Sequence, residues 1–256
     1  MNVLIWLAGI LLILMILVGG HKGARSFIAI IYNFAVILFT VLLMTVPNAD
    51  PIIITIIAST IISCINLFYI NEVNRTTKTA FISTVITIIM LLMFIFVFTE
   101  KSMIQGFGEE EIEEIGIFTL FIGIDFIKIA TAVIIMSTIG AITDTAMAIS
   151  SPMREIFIHN PTISRKELFF SGMSIGKDIL GTSTNTLFFA FFGGYLGLLI
   201  WFKDLSYSLG EIINSKVFSA EMITILCAGI GVALIIPVTA SITAYYLVKA
   251  RNQNKH

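Results

Sequence analysis

The sequence predicts an all-α integral membrane protein with seven transmembrane helices, and three observations carry that prediction. Hydrophobic residues make up 57% of the chain and charged residues only 12%, with a mean hydropathy of +1.01. Soluble domains carry about a quarter charged residues, and 256 residues offer no soluble interior large enough to hide this excess. The apolar residues also gather into runs of ~20, the length that crosses a bilayer core. Finally, the basic residues fall on alternate connections between those runs.

The runs place spans near 2–19, 27–46, 51–70, 79–99, 126–150, 178–201 and 221–248. They form one membrane domain over 1–256, with an extra N-terminal span at 1–20 and a six-helix core at 27–248. The first run has no basic residue ahead of it, and Lys22 and Arg25 follow it. A secretory signal carries its positive charge first, so a retained span is expected. On one side of the membrane then lie Lys22, Arg25, Arg75, Lys78, Arg154, Arg165, Lys166, Lys177, Lys249, Arg251 and Lys255, against Lys101, Lys203 and Lys216 on the other. By the positive-inside rule the N-terminus is outside and the C-terminus cytoplasmic.

Between the second and third spans, Pro47 to Pro51 makes an external turn, because proline interrupts helix hydrogen bonding. Outside the fourth span lies an acidic patch, Glu109, Glu110, Glu111, Glu113 and Glu114. Its spacing matches no calcium loop, so a solvated face is expected ahead of a cation site. The fifth span opens on Asp125 and Lys128. They mark its outer rim, or, if the helix starts earlier, they are buried and must pair. In the sixth span Gly193 and Gly197 form a Gly-x-x-x-Gly pair suited to close helix packing. The seventh holds Gly229 and Gly231, then Pro237 with Thr239, Ser241 and Thr243, hydroxyls available to a carbonyl that proline frees. Cys64 and Cys227 lie in apolar runs as small core residues.

The chemistry concentrates in residues 137–187. Ser137, Gly140, Ala141, Asp144, Ala148 and Ser151 share one face of the fifth span. Ser171, Ser174, Asp178, Gly181 and Asn185 share one face of the next helix, across the turn at His159-Asn160-Pro161. Two small, polar faces on consecutive helices are expected to meet, because neither faces lipid cheaply. A carboxylate at Asp144 then needs protonation, a partner or water, and Lys177, Asp178, Thr182, Thr184 and Asn185 are the candidates. A proton relay, a static hydrogen-bonded knot and a cation or substrate ligand all fit this pattern; Arg154 and Glu155 are secondary candidates. No phosphate loop, metal motif or nucleophile–base pair appears, so no cofactor, metal site or enzyme is expected. The basic residues lack interleaved aromatics, which argues against nucleic acid.

The stretches GAITDTAMAISSPMREI (140–156), NPTISRKELFFSGM (160–173) and GKDILGTSTNTLFFAFFGG (176–194) resemble the YibE/F family of bacterial membrane proteins. The resemblance implies a short member in a cytoplasmic membrane, paired with a longer chain of the same type, and brings no settled activity beyond presumed transport. A homo- or hetero-oligomer is expected because one six-helix core hardly builds a transport path. A weaker likeness links Gly140, Asp144, Arg154, Glu155 and Thr184-Asn185-Thr186 to the membrane domains of the resistance-nodulation-division superfamily, the SecD/SecF subunits in particular. It implies an RND-like six-helix core with a proton pathway at Asp144. The sequence lacks that superfamily's Asp-Asp pair. The expected protein is a subunit of a proton-coupled transporter or permease, or else a non-transporting scaffold for a longer partner.

Overall fold

The computed structural model describes residues 3–46, 49–102, 104 and 125–253, and every regular element among them is helical. The acidic patch at 109–114 and the tip of the turn at Pro47-Asn48 lie outside the described residues. In chain order the helices are α1 (Val3–Met44), α2 (Pro51–Cys64) running into a π turn (Ile65–Tyr69), and α3 (Arg75–Ser102). There follow α4 (Phe126–His159), α5 (Arg165–Gly194), α6 (Leu196–Asp204), α7 (Leu209–Asn214) and α8 (Lys216–Gln253). Five of them (α1, α3, α4, α8 and α2 with its π turn) are long and apolar enough to cross a membrane. Counting the bent pair α5–α6 as one span makes six. The chain is a helical membrane protein.

The expected spans 2–19 and 27–46 are joined within α1, and the connection anticipated at 20–26 shrinks to a break at one residue. Gly20 adopts φ 56° and ψ −137°, a region open to glycine and strained for other residues. The chain doubles back there so tightly that a Cβ on Gly23 would lie 1.7 Å from the Met15 carbonyl oxygen.

The remaining boundaries follow local chemistry. Asp50 caps α2, accepting from the amides of Ile52 and Ile53, with Pro51 at the first helical position. Asn74 and Thr77 cap α3 reciprocally, each side chain accepting from the other's amide. Asp125 caps α4 through the Ile127 and Lys128 amides. Ser164 and Glu167 form a capping box that starts α5 at Arg165, well before the expected 178. The sixth expected span, 178–201, runs across a 52° bend between α5 and α6.

α4 and α8 form the centre of the bundle, with α3 packed on one flank and α5 on the other. One cluster joins Leu91, Ile95, Ile135, Ile142 and Ile235. The second, nearer the α4–α5 turn, joins Ile149, Met153, Leu168, Ile236 and Ala240. Arg251 locks the end of α8 to that turn, donating to the carbonyls of Pro161 (2.8 Å) and Ile163 (3.1 Å). α2 packs on α4, and among the described residues α1 packs mainly on α2 and its π turn. Cys227 is buried, Cys64 partly so, and both are free thiols.

The glycines that allow close approach differ from those expected. Around Gly193, Gly194 and Gly197 a Cβ would meet nothing within 4 Å; these residues sit where α5 ends and the chain bends. Close approach occurs instead at Gly172, Gly176 and Gly231. Pro237 lies inside an unbroken α8, and the hydroxyls of Thr239 and Thr243 have no hydrogen-bond partner among the described residues. They do not meet a freed carbonyl.

Candidate functional site: the Asp144 groove

α4 and α5 run antiparallel and touch closely at the Met153 and Gly172 level, where a Cβ on Gly172 would come 2.5 Å from the Met153 sulfur. Toward the C-terminal end of α5 they diverge. The gap is a groove of about 430 Å³, walled by Gly140, Ala141, Asp144, Thr145 and Ala148 on α4 and by Ile179, Thr182, Ser183, Thr186 and Leu187 on α5. Both sets follow steps of three and four, the spacing of one helix face. Of the residues that the sequence marks, Gly140, Ala141, Asp144 and Ala148 on α4 and Thr182 on α5 line this groove.

Asp144 is exposed at the surface of the chain, and no described residue gives it a hydrogen bond or an ion pair. The expected buried seam is therefore corrected: Asp144 is not paired with Lys177, Asp178 or Asn185. Those three are exposed and lie outside the groove lining. The cause is rotation about α5. At ~100° per residue, the groove face through 179, 183 and 186 leaves Asp178 and Asn185 about a quarter-turn or more away, and Lys177 further round. Thr184 faces α8, its methyl 3.6 Å from where a Cβ on Gly229 would stand. Arg154 and Glu155 are exposed near the end of α4 and make no described bond.

Three of the four hydroxyls that line the groove, all but that of Ser183, have a definite polarity. Thr145 donates to the Ala141 carbonyl (2.8 Å), Thr182 to Ile179 (2.9 Å) and Thr186 to Thr182 (2.8 Å). Their protons are engaged in their own helices, so toward the groove they present oxygen lone pairs. A neutral carboxyl donates to such oxygens, whereas a carboxylate needs donors. The walls thus suit an acid that holds its proton when the groove is dry and releases it to water or a passing ligand. Along α4, Asp144 lies ~24 Å from Lys128 and ~15 Å from Arg154, inside the apolar stretch. An ionised carboxylate there, facing lipid, costs ~2.5–3.5 kcal/mol or more.

Asp125 and Lys128 lie apart from the groove, at the N-terminal end of α4. Asp125 is exposed at the start of α4, which fits the rim reading and not burial as a pair. Lys128 reaches across to Asp50 at 2.5 Å, joining the N-termini of α2 and α4. The Lys128 ammonium holds the Asp50 carboxyl below the usual range. Sequence reading treated Asp50 only as part of a turn, although Asp followed by Pro is a helix-start signature that could have singled it out. It also missed Thr145 and Ser183, and it named Thr186 only within the Thr184-Asn185-Thr186 likeness; the spacing of Thr182, Ser183 and Thr186 was the available signal.

Compared with known families, the chain matches the family described as YibE/F-like protein over residues 7–249, which takes in the groove and all three stretches quoted above. No curated protein and no solved structure matches it.

Proposed function

The chain belongs to the YibE/F family, and from that premise we propose that it is a subunit of a proton-coupled transporter whose proton-carrying group is Asp144. The observation behind this reading is a mid-span acid turned into an open groove among hydroxyl acceptors, with no partner among the described residues. A carboxyl in a static knot would be enclosed and bonded. One that cycles protons needs access and must tolerate its neutral form. Thr182 belongs to the groove wall. Lys177, Asp178, Thr184 and Asn185 act only if the helices rotate or a second chain approaches, so the working unit is an oligomer, either of this chain or with another YibE/F-type chain.

Splitting α1 at Gly20 yields the seventh span. Its 42 residues amount to ~63 Å of helix against a hydrocarbon core of ~30 Å. In that topology the N-terminus is outside and the C-terminus cytoplasmic, in a cytoplasmic membrane, as the basic residues favour. An RND-like arrangement of the last six spans rests on the position of Asp144 and remains part of this proposal. The protein is not an enzyme in this reading.

The competing reading is a scaffold that holds a partner chain in the groove, and the groove's exposure favours it too. Proton flux separates them. Purified protein in vesicles with an internal pH dye and an imposed potassium diffusion potential should acidify the lumen, and Asp144→Asn should abolish the signal while folding normally. Equal flux in the two proteins sinks the transport reading; no flux in either leaves the scaffold as the better account.

A further inference from the structure

Two cavities lie between α1 and the α2–π-turn–α3 connection, outside the Asp144 groove. The first, about 420 Å³, is walled by His21, Lys22, Arg25, Asn71 and Glu72. The second, about 450 Å³, is almost wholly apolar and follows the same pair of elements from Tyr32 to Leu43 on α1 and from Ile54 to Ile65 on α2. A polar end and an oily channel on one seam together match an amphipathic ligand. We infer that this seam binds one anionic glycerophospholipid, with its phosphate at Lys22 and Arg25 and an acyl chain between α1 and α2.

The dimensions agree. From Arg25 to Tyr32 is ~10 Å of helix, room for the glycerol and ester region. The apolar part, Tyr32 to Leu43, adds ~16 Å, so the seam extends ~27 Å from Arg25, nearly the whole ~30 Å core, and the acyl chain enters its nearer end. Charge agrees as well. The Arg25 guanidinium is fixed by Glu72 at 2.9 Å, while neither His21 nor the Lys22 ammonium is engaged by a described residue. Basic pockets between helices at the membrane rim are suited to anionic headgroups.

The wall of the seam is also built unusually. The π turn at Ile65–Tyr69 brings Asn66 to Asn33 (2.7 Å) and Tyr69 edge-on to Tyr32 (ring centroids 5.7 Å apart). Such turns recur at functional sites. Glu72 holds φ 61°, an uncommon backbone for glutamate, and this conformation accompanies its reach to Arg25. The break at Gly20 ends just before His21 and Lys22, which line the cavity. None of this depends on the transport reading.

The test is native mass spectrometry of the full chain, delipidated in detergent and titrated with phosphatidylglycerol, phosphatidylcholine or inorganic phosphate. One phosphatidylglycerol should saturate per chain, and neither phosphatidylcholine nor millimolar phosphate should displace it. Lys22→Gln and Arg25→Gln should each weaken it roughly fivefold. Ala35→Trp, at an exposed position on the apolar wall, should weaken it at least tenfold by filling the channel. Lys22 is also exposed, so Lys22→Gln leaves the fold intact and its melting temperature serves as the control. Binding without saturation, equal binding of phosphatidylcholine, displacement by phosphate alone, or indifference to all three substitutions would overturn the site.

Discussion

The two halves of α5 carry similar residues and behave oppositely. Near its start, Gly172 and Gly176 are buried, and a Cβ on Gly176 would come 2.2 Å from Ile236 Cγ2. Further along, Gly181, Gly193 and Gly194 meet nothing within 4 Å, and the neighbouring face borders the groove. Small residues alone therefore do not make a seam. What decides is whether the opposite helix offers a side chain of matching size, as α8 does with Ile236 and Ala240. Where no partner arrives, the same kind of residue leaves a polar opening.

The largest effect on stability should come from testing that contrast directly. Gly172→Ala and Gly176→Ala overpack against Met153, Ala240 and the branched Ile236, costing ~1–3 kcal/mol. Gly181→Ala should instead be neutral or stabilising by up to ~1 kcal/mol, because alanine favours helix and the space is open. Thermal unfolding in detergent reads both, and equal losses at 176 and 181 would break the comparison.

A smaller effect is expected at the helix caps. Ser164→Ala removes the α5 cap and Asp50→Ala the α2 cap, each worth ~1 kcal/mol. Asp50 adds a pH dependence. Its carboxyl is held low by Lys128 in the folded chain, so the stabilisation is present above the unfolded carboxyl range of about 4 and is lost as pH falls through the lower folded value. Lys128→Met should flatten that acid limb of the melting curve, while the limb persists in Lys177→Gln. The smallest effect belongs to Lys177→Gln itself. With no described partner inside the chain, it should leave the melting point within ~0.5 kcal/mol of wild type unless a second chain pairs with it.

Much of this was legible in the sequence. Helix class, the membrane setting and the family followed from hydropathy and from the stretches around Asp144. The polar face of α4 was legible too, because 3.6-residue periodicity is a property of one helix. The face of α5 was only half legible. Periodicity gives two overlapping polar stripes there, 178–185 and 182–186, and only the crossing of α5 against α8 decides which one meets α4. The Asp50–Lys128 pair and the doubling back at Gly20 depend on contacts between segments, which no local pattern encodes. The glycines were misread for the same reason, since Gly193 and Gly197 have the right spacing and no neighbour among the described residues.

The central claim is that Asp144 is an open, unpaired, proton-holding acid. A hydrophobic carbodiimide tests it most directly, because such reagents reach neutral carboxyls from apolar surroundings and leave a stable acylurea. Peptide mapping after treatment in membranes should find the adduct on Asp144, absent in Asp144→Asn, with proton flux lost in step with labelling. An unmodified Asp144 under conditions that label other membrane carboxyls would contradict the account.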